Sequence, residues 1–346
     1  MRIGRGALLR GALGIGISLF SIWVLVRSVD LAAAWTVLRT ATPAWIGVML
    51  ITATLDMAAR GARWRSLLAP IAPLPYRRVL GYTYIGYLAN NVLPARLGEL
   101  YRSHALGDGE GVSRTTVLGT VVVERVVDTV LVVGIASLAV LVLSVRGAMT
   151  SAVLLGLAFV SLLVIVLALG IFAHRLPGAS RVEAIIARRP RMFELAKRLR
   201  EGLAVAGRPR VVGISIAFSA LAWSASILTF LAAGQAVGVE LTVAQAALLC
   251  SGVALVSIVP AGPANAGTFE LTVVLIAEGF GISRDDAFAM GLLVHLIVLA
   301  LTSIGGVVAL LAFRRRRGQA ESGAAAVGIG HGAVAPPNGE DADAPA

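Results

Sequence analysis

The chain has 346 residues, 58% hydrophobic and 14% charged, with a mean hydropathy of +0.87 and a formal net charge of +11. An ordinary soluble domain is roughly 45 to 50% apolar and about 25% charged, so a water-soluble globular fold is excluded. The single cysteine, Cys250, and the scattered His104, His174, His295 and His331 exclude a disulfide framework and give no zinc or haem motif, so no cofactor and no metal is expected.

A basic start (Arg2, Arg5, Arg10) leads into an apolar span near 11 to 26, which further spans continue directly, unlike a cleaved signal peptide. A connection with Arg27, Asp30 and Arg39 precedes a second span at about 43 to 59. Arg60, Arg63, Arg65, a Pro-rich turn, Arg77 and Arg78 then make a basic loop. Residues 79 to 93 are only moderately apolar and run into Pro94-Ala95-Arg96-Leu97-Gly98-Glu99. Long apolar segments follow at about 115 to 145 and 151 to 173. The stretch from 174 to 210 holds ten Lys and Arg residues, and its part from 181 to 205 reads as two amphipathic helices broken at Pro190. They suit an anionic leaflet, or the docking of a soluble enzyme. Spans at 211 to 233, 243 to 259 and 287 to 312 complete the set, closed by Arg314 to Arg317. The tail from Gly318 is rich in Gly, Ala and Pro and reads as disordered.

Long apolar runs and little charge define an all-α polytopic membrane protein. The loops at 60 to 78, 174 to 210 and 314 to 317 are basic and are expected on the cytoplasmic side. Only two strong spans lie between the first two of these loops, so the segment from 79 to 106 must enter and return as a re-entrant hairpin. Parity in the second half demands another, bent at Pro260-Ala261-Gly262-Pro263. The count is six full crossings and two hairpins, with both termini cytoplasmic in the cell membrane. The membrane domain is 1 to 312, with halves at about 8 to 145 and 150 to 312, and 313 to 346 is a basic stop and tail.

The halves resemble each other. Gly111-Val112-Ser113-Arg114 recurs as Gly281-Ile282-Ser283-Arg284, and Pro94, Gly98 and Glu99 have counterparts in Pro260, Gly267 and Glu270. Because the first hairpin opens inward and the second outward, the repeat is read as inverted. Inverted repeats with broken helices are an architecture of secondary transporters, whose sites form where half-helix ends meet.

Arg63-Trp64, Asn90-Asn91-Val92-Leu93-Pro94-Ala95-Arg96-Leu97-Gly98-Glu99, Glu124-Arg125-Val126-Val127-Asp128 and Gly267-Thr268-Phe269-Glu270 resemble the flippase-like membrane domain of lysylphosphatidylglycerol synthases. The resemblance covers about residues 10 to 312. In two-domain members this region is fused to a soluble aminoacyl-transferase domain and moves the lysylated lipid across the bilayer. Only 29 low-complexity residues follow Arg317 here, so the chain is similar to a stand-alone member, for which a lipid or lipid-linked substrate is implied.

The residues themselves offer two readings of each cluster. Glu124 and Asp128, with Thr116 and Thr120, form one helical stripe, and Arg125 is placed to pair with Asp128. This is a lock on the bundle, or a buried relay or gate, since a charge at mid-membrane costs roughly 2.5 to 3.5 kcal/mol on insertion scales. Arg96, Glu99 and Arg102 share a face after Pro94, where a half-helix N-terminus and two guanidiniums suit a lipid phosphate. Glu99 would pair with Arg96 or Arg102, or take an amine of the head group. Asn90 and Asn91 are expected to cap the bend or touch the head group.

In the second hairpin Glu270 is the ionisable group, with Pro263, Gly267 and Thr268 shaping the bend. His295 falls at the repeat position of Arg125 and is of a type that changes charge near neutral pH, although a lone intramembrane histidine is more often a satisfied packing residue. Asp56 and Arg60 are spaced for a local pair, and Arg63-Trp64 reads as an interfacial anchor. The function expected is a flippase for a phosphate-containing amphiphile. Alternatives are a subunit that anchors or regulates a separate glycosyl- or aminoacyl-transferase, and an integral membrane transferase using Glu99, Glu124 or Asp128 as base. Partners are membrane lipids, with a membrane-associated transferase as a further one, and no nucleic acid. No Gly-Lys-Ser/Thr phosphate loop occurs, so a gradient or a partner must drive the process.

Overall fold

A computed structural model of the protein describes residues 5 to 93, 97 to 144, 155, 158, 162, 190 to 257 and 261 to 329. Among these the regular elements are helices: α1 (Arg5–Ser28), α2 (Leu31–Arg39), α3 (Pro43–Leu68), α4 (Tyr76–Val92), α5 (Gly98–Glu110) and α6 (Arg114–Val142), then α7 (Pro190–Leu203), α8 (Pro209–Ala236), α9 (Val243–Val256), α10 (Thr268–Glu278) and α11 (Arg284–Ile329). Helix α6, helix α8 and the Arg284–Arg316 part of α11 are each long and apolar enough to cross a membrane. Helices α1 and α2 form a fourth apolar unit bent by 87°. The protein is thus a helical, multi-pass membrane protein.

Local chemistry sets the breaks. The connection around Asp30 is the kink between α1 and α2, where the Asp30 carboxylate accepts from the Ala32 and Ala33 N–H groups and caps α2. Pro43 opens α3 at a position where a missing N–H costs nothing. Helix α3 does not stop at residue 59. It runs on to Leu68 and carries Arg60 and Arg63 buried inside the bundle, so these two are not loop charges. The basic residues left at this turn are Arg65 in the last turn of α3 and Arg77 and Arg78 in the first turn of α4. Helix α11 likewise passes through its four arginines to Ile329, so the first part of the expected tail is helical.

The span at 151 to 173 is described only at Leu155, Ala158 and Leu162, all helical. Pro190 begins α7 rather than interrupting two described helices. This helix is amphipathic, exposing Met192, Phe193 and Leu195 beside basic residues and packing on α6. A hydrogen bond from Arg198 holds the Glu194 carboxyl below its usual range.

Each half contains a helix, a broken hairpin and a long helix: α3, α4, α5 and α6, then α8, α9, α10 and α11. The two hairpin-to-span junctions correspond in detail. Gly111 (φ +67°) and Gly281 (φ +79°) take the left-handed conformation that glycine adopts without steric cost. The Val112 N–H donates to the Gly107 carbonyl and the Ile282 N–H to that of Ala277. Ser113 and Ser283 accept from the N–H groups of Thr116 and Asp286, and Arg114 pairs with Asp108 as Arg284 does with Glu278.

Helices α3 and α8 pack lengthwise and antiparallel. Thr42 N–H donates to the Ala236 carbonyl, the hydroxyls of Thr52 and Thr229 lie 2.8 Å apart, and Arg63 reaches Ser219 at 2.9 Å. Each hairpin lies on the long helix of the other half, α4 on α11 and α9 on α6. Asn91 fixes the first of these contacts by donating to the hydroxyls of Thr302 and Ser303, both at 3.0 Å.

Candidate functional site

The centre of the molecule is a network of charges enclosed by apolar helices. Arg63 of α3 is fully buried. Its guanidinium donates to Glu124 Oε1 at 2.7 Å, to Ser219 Oγ, and to Asp128. Arg102 of α5 donates to the same Glu124 oxygen at 2.9 Å and lies over the Trp64 ring at 4.5 Å. Arg125 of α6 donates to Glu124 at 2.6 Å and approaches Asp128 at 3.0 Å and Glu99 at 3.3 Å.

On the other side of Asp128, the Trp223 Nε1–H donates to Oδ1 at 3.2 Å, and Arg60 stands over the Trp223 ring at 5.0 Å. Arg60 also pairs with Asp56 at 2.8 Å, as the four-residue spacing suggests. Four helices, α3, α5, α6 and α8, are therefore tied together through two carboxylates. Such pairing is what makes charge tolerable in a bilayer, where an isolated one is expensive.

The network borders a cavity of about 620 Å³ that both halves line. Asp56, Arg60, Tyr87, Asn90, Asn91, Glu99, Arg125 and Asp128 come from the first half. Trp223, Ser226, Cys250, Asn265, His295 and Thr302 come from the second. Charged pairs, amides and hydroxyls such as Thr129, Ser226 and Thr302 thus share the wall with apolar side chains, a surface suited to a polar head group attached to an apolar body.

The hairpin breaks frame this space. In the first, Asn90 Oδ1 accepts from the Gly98 N–H at 2.8 Å and caps α5. A Cβ on Gly98 would lie 2.1 Å from the Gly86 carbonyl oxygen, so only glycine lets the returning helix approach α4 here. In the second, Pro263 opens a short 3₁₀ turn (Pro263–Asn265), and the Thr268 hydroxyl donates to the Asn265 carbonyl at 2.8 Å. Glu270 accepts from the Gly267 N–H at 2.8 Å through one oxygen and meets His295 Nδ1 at 2.5 Å through the other. The His295 ring stacks on Phe269 with centroids 4.7 Å apart.

Most residues singled out from sequence therefore converge: Asn90, Asn91, Glu99, Arg125, Asp128 and His295 line the cavity, while Arg102 and Glu124 stand behind it in an ion pair and Glu270 in a hydrogen bond with His295. Pro94, Arg96 and Pro260 lie outside the described residues. Two placements go beyond expectation. Glu99 reaches Arg125 and Arg102 reaches Glu124, because α6 packs against α5. Arg63 and Trp64 are not interfacial: both are fully buried, and the Trp64 Nε1–H donates to Thr120 Oγ1 at 3.2 Å. Sequence reasoning missed Arg60, Arg63 and Trp223 as parts of the site. The available signal was Arg60 and Arg63 three apart in an apolar helix, facing Glu124 and Asp128 four apart in another.

Fold and site together define a helical integral membrane protein with a cavity bordered by a buried network of ion pairs. More particularly, residues 11–322 match the sequence profile of the lysylphosphatidylglycerol synthase TM region, and the chain belongs to that family. It is also similar to a protein named glycosyltransferase AglD from Haloferax volcanii, 23% identical over 339 residues. The match covers 86% of this chain and 53% of that protein, so the chain spans about half the length of that curated relative.

Proposed function

We infer that this protein moves a phosphate-containing amphiphile, a phospholipid or lipid-linked sugar, between the leaflets of a membrane. The observation that carries the reading is the cavity of about 620 Å³ between two similarly built halves, lined by ion pairs inside an apolar bundle. A head group crossing a bilayer must exchange its water for fixed polar partners, and Arg60 and Arg125 offer donors for phosphate while Asp56 and Glu99 offer acceptors for an amine or sugar hydroxyl. Arg96, next to the first break, is assigned to the same phosphate. Arg63, Arg102, Glu124 and Asp128 hold the helices that carry these groups.

In this reading the halves form an inverted repeat with six crossings, two re-entrant hairpins and both termini cytoplasmic. The antiparallel contact of the corresponding helices α3 and α8 supports it. In a Cys250→Ala background, single cysteines replacing Asp108 and Ser283, both exposed, are expected to react with a membrane-impermeant maleimide from opposite sides. Labelling from one side only would sink the inverted arrangement.

Function is tested in liposomes holding the purified protein and fluorescent phospholipids, with leaflet exchange read by chemical quenching. Loss of one charged hydrogen bond to the head group is expected to slow exchange about tenfold in Arg60→Gln and Glu99→Gln. Unchanged rates in both would remove the site assignment. A second reading rests on the similarity to a protein named a glycosyltransferase. There the cavity presents a lipid-linked sugar to a transferase docked at α7. That reading expects no exchange in liposomes without the transferase, and a strong effect of neutralising the bases of α7.

A further inference from the structure

The two halves place the same kind of pair at the same point. Arg125 and His295 occupy corresponding positions, each on the long helix that follows a hairpin, and each meets a glutamate on the returning helix: Glu99 in the first half, Glu270 in the second. The neighbouring junctions match glycine for glycine, serine for serine and ion pair for ion pair. The substitution at this point changes the chemistry, because a guanidinium keeps its proton at every physiological pH and an imidazole does not.

We propose that the Glu270–His295 pair is a proton-binding site that couples movement of the amphiphile to a pH gradient. This rests on the transport reading above. The geometry gives the two residues separate tasks. Glu270 is held by its bond to the Gly267 N–H and so is fixed to the start of α10, whereas His295 lines the cavity, from which a proton arrives and to which it leaves. With the imidazole protonated, the contact is an ion pair that latches α10 to α11 and closes the second half. With the proton gone, the imidazole Nδ1–H still donates to the Glu270 carboxylate, but the attraction between opposite charges is lost and the latch loosens. The Glu99–Arg125 pair of the first half opens and closes without proton exchange.

The groups around His295 fit this division. Among the elements packed on α11, α10 supplies Glu270, α4 lines the cavity with Tyr87, and α3 with the paired Asp56 and Arg60. Helix α8 contributes Trp223, Ser226 and Thr229, and α2 ends in the exposed Arg39. Elsewhere on the cavity wall, Glu99, Arg125 and Asp128 are joined in the first-half network, and α9 contributes Cys250. Glu270 is the acid in direct contact with the imidazole.

The test uses full-length protein in phosphatidylcholine vesicles carrying a trace of acyl-chain-labelled phosphatidylglycerol, whose head group does not titrate near neutral pH. The membrane potential is clamped with valinomycin and potassium, and a trapped pH dye reports protons. One proton per lipid shifts the steady-state leaflet ratio about tenfold for each unit of imposed pH difference in the wild type. His295→Gln and His295→Arg, the second rebuilding the first-half pair, are expected to exchange lipid with a ratio near one at every gradient. A wild-type ratio indifferent to the gradient, or a variant that keeps the response, overturns the proton site and leaves transport standing. If neither variant moves lipid, the wild-type dye signal decides: about one proton per lipid supports the proposal and none overturns it. Absence of exchange in the wild type overturns both transport and the coupling built on it.

Discussion

Replacing Arg63 by alanine is expected to cost the protein about 3 to 5 kcal/mol of stability, the range for breaking a buried ion pair by removing one partner. Arg63 is fully buried and binds Glu124, Asp128 and Ser219 at once, so its loss strips donors from two buried carboxylates. Arg102 and Arg125 still serve Glu124, and Arg125 and Trp223 still serve Asp128. The remaining deficit falls on the contact of α3 with α6 and α8. Thermal unfolding in detergent micelles should show a large downward shift. Because the damage is an uncompensated charge, Arg63→Ala combined with Asp128→Asn is expected to lose less than the sum of the two single losses. Strict additivity, or a stable Arg63→Ala protein, would show that the network does not hold the bundle.

Much of the architecture is legible in the chain because hydrophobic length is a direct physical requirement of the bilayer. The segments near 115 and 211 become α6 and α8 with ends displaced by only a few residues, and the one at 287 to 312 lies inside α11, which runs on to Ile329. The hairpin breaks are legible for a different reason: proline lacks the N–H that continues a helix, asparagine can cap the backbone groups a break exposes and glycine permits close approach, and Asn90 and Gly98 meet there as a cap and a close contact. The repeat was visible through the left-handed glycines and serine caps at Gly111-Ser113 and Gly281-Ser283, which demand specific residue types.

The partners of charged side chains were not legible, because pairing is decided by which helices pack together. Arg60 and Arg63 carry the same signal as topology-setting loop arginines until α6 brings Glu124 and Asp128 opposite them. Glu99 and Arg102 sit on one helix face, and that face meets α6, so each finds a partner there. The basic ending of the last span does not end α11: charge ends a membrane span, but it does not end a helix, and the alanines, Gln319 and Glu321 that follow are good helix formers.

The central claim is that an amphiphile passes through the cavity shared by the two halves. Ser226 lines that cavity on α8, while Ser224, two residues earlier, is exposed on the outside of the same helix. Ser226→Trp places a bulky ring in the transport path with no change of charge, and Ser224→Trp adds the same ring where lipid tails accommodate it. The direct measurement is leaflet exchange of fluorescent phospholipid in liposomes reconstituted with wild type and each variant. The account predicts wild-type exchange, the same exchange in Ser224→Trp and loss of at least about tenfold in Ser226→Trp, the equivalent of about 1.4 kcal/mol on the rate-limiting passage. Full exchange in Ser226→Trp, with the variant folded, would mean that the amphiphile travels by another route.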